Sequence, residues 1–425
     1  MNTESLTKTP MNMTDNAPTD TQPNPEWLAF LRTRGARENG AQIADFGQPA
    51  EELAELTAAR HDTLLVPLTH LALLDCTGED AQSFLQNLTT NDAAHLPADG
   101  AQHSAWCSPQ GRMLASFILY RQGAGFRALL AADLCSATLT GLRKYILRAK
   151  VRLNALSGSH VLLGLAGTQT EAALHAAGLA LPNRPMTTIA GATATVIRLG
   201  DIDGTNSAHD SHDAADVKWP RCIIAAETTA APALFDALAG SARPAGISAW
   251  QRLDVQTGVA WITAAMRDAF VPQMLAFDKI GGVSFNKGCY PGQEIIARAH
   301  YLGKVKRSLY RLHSETPLSA GEAIYPTDSL ETCGTVVQAA PDGQGHSGYI
   351  ALAVIKDSVA QAAQSAVASL TAAGKLIDVV ETVVDESTSA KPPQNSQYRL
   401  PSSLPESKSE NDSPETACPR LCPCA

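Results

Sequence analysis

Between residues 157 and 250 short apolar runs alternate with alanine-rich stretches, and this alternation narrows the possible folds more than any other feature. Val161-Leu-Leu-Gly-Leu, Ala194-Thr-Val-Ile and Cys222-Ile-Ile-Ala read as strands, with helices at Thr170 to Ala177 and Ala231 to Ala239. Upstream, Thr63-Leu-Leu-Val-Pro-Leu and Leu71-Ala-Leu-Leu-Asp-Cys read as strands again. Downstream, runs at 322–326, 333–339 and 347–355 are punctuated by Gly321, Asp328 and Asp342-Gly343. Short strands at that spacing suggest a small antiparallel barrel. The class is α+β, and 425 residues are too many for one core, so two or three domains are expected.

Helix signals complete the outline. Asn24-Pro25 supplies an N-cap and a first-turn proline ahead of Trp27, Leu28 and Leu31 on one face, with an end near Gly35. Ala81, Phe84, Leu85 and Leu88 repeat at three and four, and Trp250 to Val259 is helical with Gly258 closing it. From Thr138 to Lys150, Leu139, Leu142, Tyr145 and Ile146 predict an apolar stripe with bases on the remaining arc. Lys304 to Leu312 alternates charged and apolar residues, as a half-buried strand does.

The chemically demanding residues gather at 284–307, where Lys287-Gly-Cys-Tyr-Pro-Gly-Gln-Glu294 is followed by Ala297-Arg298. Cys289 stands between Gly288 and Pro291-Gly292, which predicts an exposed bend. A unit charge about 6 Å away lowers a thiol pKa by about 0.5 to 2 units, so Lys287 is a candidate activator, with Glu294 opposing it if it folds back. The alternative is a small buried core cysteine. A second polar cluster, Gln86, Asn87, Thr89, Thr90, Asn91 and Asp92, follows the helix at 81–88 and reads either as a capped loop or as a site.

The 287–294 octapeptide, with Phe270-Val-Pro-Gln-Met ahead of it, resembles the signature of the YgfZ family, folate-binding proteins of the glycine-cleavage T-protein superfamily. The resemblance extends over about residues 60 to 385 and includes Leu142-Arg-Lys-Tyr-Ile-Leu-Arg-Ala-Lys-Val. It implies a T-protein-like multidomain fold with a C-terminal antiparallel β-barrel, divided into 24–295 (folate-binding region of two subdomains) and 296–385 (barrel), while polar, proline-rich composition predicts a disordered leader at 1–23 and a disordered tail at 386–425. It also implies tetrahydrofolate or a derivative as cofactor, with Asn91, Asp92, Trp106 and Arg148 as folate-binding candidates. Cys289, Lys287 and Glu294 become candidates for the chemistry, supported by Gly288, Tyr290, Gly292, Gln293 and Arg298. The implied role is assembly or repair of iron–sulfur clusters in client enzymes, linked to tRNA modification, with a transient cluster at Cys289 as a further expectation.

One departure bears on activity. The glycine-cleavage T protein carries two aspartates just after the turn corresponding to Trp106-Cys107-Ser-Pro-Gln-Gly111-Arg112, whereas here Ala115 and Ser116 stand there. Without a carboxylate the acid/base step of aminomethyl transfer lacks an agent, so enzymatic activity stays an open question. A one-carbon transferase is one alternative. A tRNA-binding module is the other, using Arg143, Lys144, Arg148, Lys150 and Arg152 with Arg298, Lys304, Lys306, Arg307 and Arg311.

Composition sets the remaining bounds. A net charge of −9 disfavours whole-surface binding of nucleic acid. No apolar run approaches the roughly 18 residues of a membrane helix, so no membrane partner is expected. Nine scattered cysteines and the lack of an apolar leader predict a reducing cytoplasm without disulfides. His209-Asp-Ser-His-Asp213 has ligand residue types, but its Gly/Asn/Asp/Ser setting predicts a flexible loop. Cys418, Cys422 and Cys424, flanked by prolines, predict at most weak metal binding.

Overall fold

Three β-sheets built from these short runs organise the chain. The computed structural model describes residues 22–47, 63–203, 218–303, 305–342, 348–365, 369–372 and 374–383. They belong to one compact unit that runs to Asp385. The expectations for residues 1–21, for His209 to Asp213 and for the tail from 386, its cysteines included, lie outside the described residues.

The first sheet is five-stranded and antiparallel, in the order Ala101–Cys107, Met113–Gln122, Gly125–Ala131, Leu71–Thr77 and Arg152–Ala155. The second has six strands: Thr187–Ala190, Ala194–Arg198, Arg221–Glu227, His160–Gly167, Thr63–Pro67 and the short Arg243–Pro244, whose pairing alone is parallel. Successive side chains on a strand point to opposite faces, and both faces of these sheets are covered. In Leu71–Thr77, Leu71 and Leu73 enter the core shared by the two sheets, while Leu74 and Cys76 pack with helices Ala81–Leu88 and Cys135–Arg143. In Thr63–Pro67, Leu64 and Val66 join the shared core. Leu65 instead packs with helices Pro25–Thr33 and Ala231–Ala239. Burial on both faces explains why these strands read as unbroken apolar runs and not as alternation.

The third sheet is a closed six-stranded barrel, in the order Arg307–Ser314, Tyr349–Lys356, Gly334–Pro341, Ala323–Pro326, Leu370–Ala372 and Lys375–Thr382. Along Tyr349–Lys356, Ala351, Ala353 and Ile355 fill the barrel, whereas Ile350, Leu352 and Val354 pack outward against the segment at 255–296. Alanines at the inner positions suit a narrow barrel.

Helix ends follow their capping chemistry. Asn24 Oδ1 accepts from the backbone N–H of Glu26 and Trp27. Gly258, at φ +70°, closes helix Ile247–Thr257. The helix expected from 138 to 150 is a correction, since it runs Cys135–Arg143 only. Lys144, Tyr145 and Ile146 instead make i→i−3 turns, which leave Tyr145 and Leu147 exposed. Pairing competes with the helix here: Arg152–Ala155 must lie against Leu71–Thr77, and the carbonyl of Lys150 approaches Gly78 so closely that a Cβ would sit 2.0 Å from it.

At the middle of His160–Gly167, a Cβ on Gly164 would meet the Trp250 ring at 2.5 Å. Gly164→Ala is expected to cost about 1–3 kcal/mol through overpacking and to shift the tryptophan emission. Denaturant melts read by fluorescence test this, and unchanged stability and emission would contradict the packing described.

Candidate functional site

The corner after helix Ala81–Leu88 and the segment Gly281 to Lys287 are fastened together. The hydroxyl of Thr90 donates to the carbonyl of Gly282 at 2.7 Å, Asn91 Nδ2 donates to Gly281 O at 2.6 Å, and the N–H of Ser284 donates to Thr90 O. Lys287 completes the joint. Its ammonium is buried and donates to the carbonyls of Gln86 (2.5 Å), Thr89 (2.5 Å) and Asn91 (3.0 Å), above the Tyr290 ring at 5.0 Å. Burial lowers its pKa to about 8, with Asp92 pulling the other way. Lys287 therefore has a structural task that the sequence reading, which treated it as an activator of the thiol, did not give it: it caps the carbonyls at a helix C-terminus.

Beyond Lys287 the chain surfaces, and Gly288 and Cys289 are exposed. Tyr290 is buried again, which raises its phenol pKa, and its backbone carbonyl accepts from the N–H of Gln293 at the start of helix Gln293–Tyr301. Gly292 has φ +82°, and a Cβ there would lie 2.5 Å from the Ser108 carbonyl. Glycine is thus required by conformation and by space, because this turn docks on the Ser108 to Arg112 hairpin. Glu294 and Arg298 form an exposed i,i+4 pair at 3.0 Å on the same helix, so Glu294 does not fold back over the loop. Cys289 is the one exposed thiol among the described cysteines, as the bend predicted.

A cavity of about 540 Å³ lies elsewhere, between the two large sheets, helix Ile247–Thr257 and the barrel. His103, Arg221, Trp250, Asp254, Trp261 and Arg311 line it. Arg221 and Asp254 pair at 2.8 Å with both side chains 2% exposed. Trp261 Nε1 donates to the second Asp254 oxygen at 3.2 Å, and the Arg221 guanidinium sits 5.1 Å from the Trp250 ring. Burial raises the Asp254 pKa, with Arg221 drawing it down. Burial, helped by Arg221, lowers His103 to about 4, so at neutral pH the cavity presents a neutral imidazole.

The four residues expected to bind folate do not line this cavity. Both hydrogens of Asn91 Nδ2 go to backbone carbonyls, of His103 and Gly281. Asp92 turns to His95 at 2.9 Å; burial works against its charge, but the His95 contacts outweigh it and hold its pKa low. Trp106 is core, its ring against Gly141, and Arg148 is exposed on the turn after Arg143. Ala115 is buried, and Ser116, also buried, accepts from the N–H of Ile262 at 3.0 Å. The second basic cluster disperses: Arg311 faces the cavity while Arg298 stays on its helix. Sequence reading missed the cavity set because its members come from four separate elements and the loop after helix Ile247–Thr257. The partial signal was a tryptophan, Trp250, one turn before an aspartate on an amphipathic helix.

The fold is that of the aminomethyltransferase T proteins. The family model for the GCVT N-terminal domain matches residues 45–200. The glycine cleavage system aminomethyltransferase T from Bartonella henselae superposes with a TM-score of 0.68 over 84% of this chain and 96% of its own, at 20% identity. The tRNA-modifying protein YgfZ of Klebsiella pneumoniae (strain 342) is 33% identical over 302 residues, 68% of this chain and 85% of that protein. Its counterpart in Shigella sonnei (strain Ss046) is 31% identical over 255 residues, 60% of this chain and 73% of that protein. The chain belongs to the YgfZ family.

Lys287→Met removes three charge-assisted hydrogen bonds and leaves three carbonyls without that donor; a loss of about 2–4 kcal/mol is expected. Hydrogen exchange should show the 284–292 segment opening first, and unchanged protection there would contradict the anchoring role. The acid limb is shared by His103 and His70, whose folded pKa values of about 4 lie below the unfolded 6.5. The unfolded chain then binds more protons between those values, so stability falls as pH drops from 6.5 to 4. That fall should shrink in His103→Leu, measured by urea midpoints across the window.

Proposed function

We propose that this protein binds a reduced folate in the central cavity and, through Cys289, supports the iron–sulfur enzymes on which tRNA modification depends. The cavity itself carries the reading. Its volume falls in the roughly 300–1,000 Å³ range of small-molecule sites. Two tryptophans offer flat apolar contact for a bicyclic ring, and the neutral His103 and the Arg221–Asp254 pair offer fixed donors and acceptors. Tetrahydrofolate fits such a lining in chemical type. The contact role therefore moves from Asn91, Asp92, Trp106 and Arg148 to the cavity residues, within a folate-binding region 24–295 completed by the barrel at 296–385.

The link to tRNA rests on the relatives, which are named tRNA-modifying proteins. Cys289 is assigned the thiol chemistry because it is exposed on a bend whose flanks, Lys287 and Gly292, are both anchored. Aminomethyl transfer is the weaker reading, since position 115 is an alanine and the Ser116 hydroxyl is engaged with Ile262 N.

Titration of the protein with tetrahydrofolate, followed by the emission of Trp250 and Trp261, should give saturable quenching at roughly micromolar ligand. Cys289→Ser should keep that binding and lose support of tRNA modification in cells. Absence of quenching would remove folate from the function, and full cellular activity of the serine variant would remove the thiol.

A further inference from the structure

The charged groups lining the cavity differ in how firmly each is held. Asp201 is gripped by Arg198 Nη2 at 3.0 and 3.2 Å through its two oxygens. Arg221 and Asp254 hold each other out of solvent. Opening the second pair would strand a buried charge, and the first, 17% and 23% exposed, is fixed by two bonds to one guanidinium nitrogen. The third pair, Arg311 with Glu381, is built differently: the Arg311 side chain is 16% exposed, whereas the Glu381 side chain is 52% exposed.

Arg311 does not need Glu381 to stay in place. Its Nε donates to Val255 O at 3.4 Å and its Nη2 to Gln256 O at 2.7 Å. Both carbonyls belong to the last turn of helix Ile247–Thr257, where free C=O groups and the helix dipole favour a cation. A guanidinium has donors to spare for a carboxylate, and here Nη1 meets Glu381.

The strand that carries Glu381 is shaped for this contact. Arg311 pairs with Glu381 and Leu312 with Val379, so Val380 is an extra residue in the ladder. A β-bulge re-aims the side chains beside it; without it, Glu381 would have the opposite facing in the register set by Leu312 and Val379. Just beyond, the Val383 side chain rests on Gly258, and Val383 and Glu381 both line the cavity. The end of the last barrel strand is thus one wall of the cavity, with Arg311 behind it.

We propose that Arg311 is the carboxylate-binding end of the cavity and that the chain keeps it filled with its own Glu381, which the carboxylate of an incoming ligand displaces. This rests on the folate reading for the identity of the ligand, though the subsite itself requires only an anionic ligand whose apolar part occupies the tryptophan-lined space. Displacement sends Glu381 to water, where half of its side chain already is, and leaves the guanidinium on its two carbonyls. Glu381 then sets specificity, since a ligand of the same ring system without a carboxylate gains nothing at Arg311.

The test compares wild type, Glu381→Gln and Arg311→Lys with three probes: tetrahydrofolate, p-aminobenzoylglutamate, which is the tail without the pterin, and 6-methyltetrahydropterin, which has no carboxylate. Glu381→Gln should bind both carboxylate probes about two- to fivefold more tightly, the size of a half-exposed ion pair, with the pterin unchanged. Arg311→Lys keeps the charge but not the fork, and should lose affinity for the carboxylate probes alone. Equal carboxylate affinity in wild type and Glu381→Gln, or a gain shared by the pterin, would overturn the proposal. If neither tetrahydrofolate nor the pterin binds any variant, the folate reading fails. p-Aminobenzoylglutamate then decides the subsite separately: a gain in Glu381→Gln supports it and no gain overturns it.

Discussion

A buried ammonium at position 287 joins parts of the chain 196 to 201 residues apart, and the geometry around the thiol depends on it. An ammonium removed from water is costly unless its donors are all bound. Here three N–H groups meet three carbonyls, two of them from Gln86 and Thr89 at the end of helix Ala81–Leu88. Each side supplies what the other lacks, because a helix C-terminus has free carbonyls and a partial negative charge. Thr90, Asn91 and Ser284 add neutral bonds across the same seam. The exposed bend displaying Cys289 is therefore clamped on both flanks, by Lys287 before it and by Gly292 against Ser108 and Gly111 after it.

Helix Ile247–Thr257 plays the corresponding part for the cavity. Its Asp254 binds Arg221 of the six-stranded sheet, its Arg252 donates to the Asp342 carbonyl beyond a barrel strand, and its terminal carbonyls hold Arg311 of another. Its Trp250 lies over Gly164. Apolar contacts alone would let such a helix slide between two sheets and a barrel, whereas each polar bond fixes a register. Buried pairs of this kind add little net stability, and their effect here is to fix the helix between the six-stranded sheet and the barrel at the edge of the cavity.

Much of the architecture was legible in the sequence, because both large sheets are buried on two faces and so appear as continuous runs such as Leu64-Leu-Val. The barrel was legible through its glycine and aspartate punctuation, and helix caps through Asn24-Pro25 and Gly258. The helix at 138–150 was misread in length, since periodicity continues through Tyr145 and Ile146 while the pairing of residues 152–155 with 74–77 requires an earlier turn. Within the site, the exposed bend at Cys289 could be read from its glycines and proline. The destination of Lys287 could not, because a lysine two residues from a thiol reads as its electrostatic partner when the carbonyls that bind it are about two hundred positions away. The cavity was illegible for the same reason. Arg221 and Asp254 are ordinary charged residues in sequence and become a site only when the topology brings sheet and helix together.

The cavity and the exposed thiol are thereby separated in space, and the chain between them is short. Cys289 is not among the cavity-lining residues, but Ile280 is, and the nine positions from one to the other run through the clamped seam at Gly281, Gly282, Ser284 and Lys287. Ile280 leads directly into backbone whose carbonyls at 281 and 282 are bonded to Asn91 and Thr90, whose N–H at 284 is bonded to Thr90 O, and whose last anchor is the ammonium two residues before the thiol. Segments tied at several points respond as units, because moving one bond costs the others. With alanine at 115 and the Ser116 hydroxyl holding Ile262, residues 115 and 116 contribute packing and one anchoring bond, while the exposed thiol stands outside the cavity at the far end of the clamped segment.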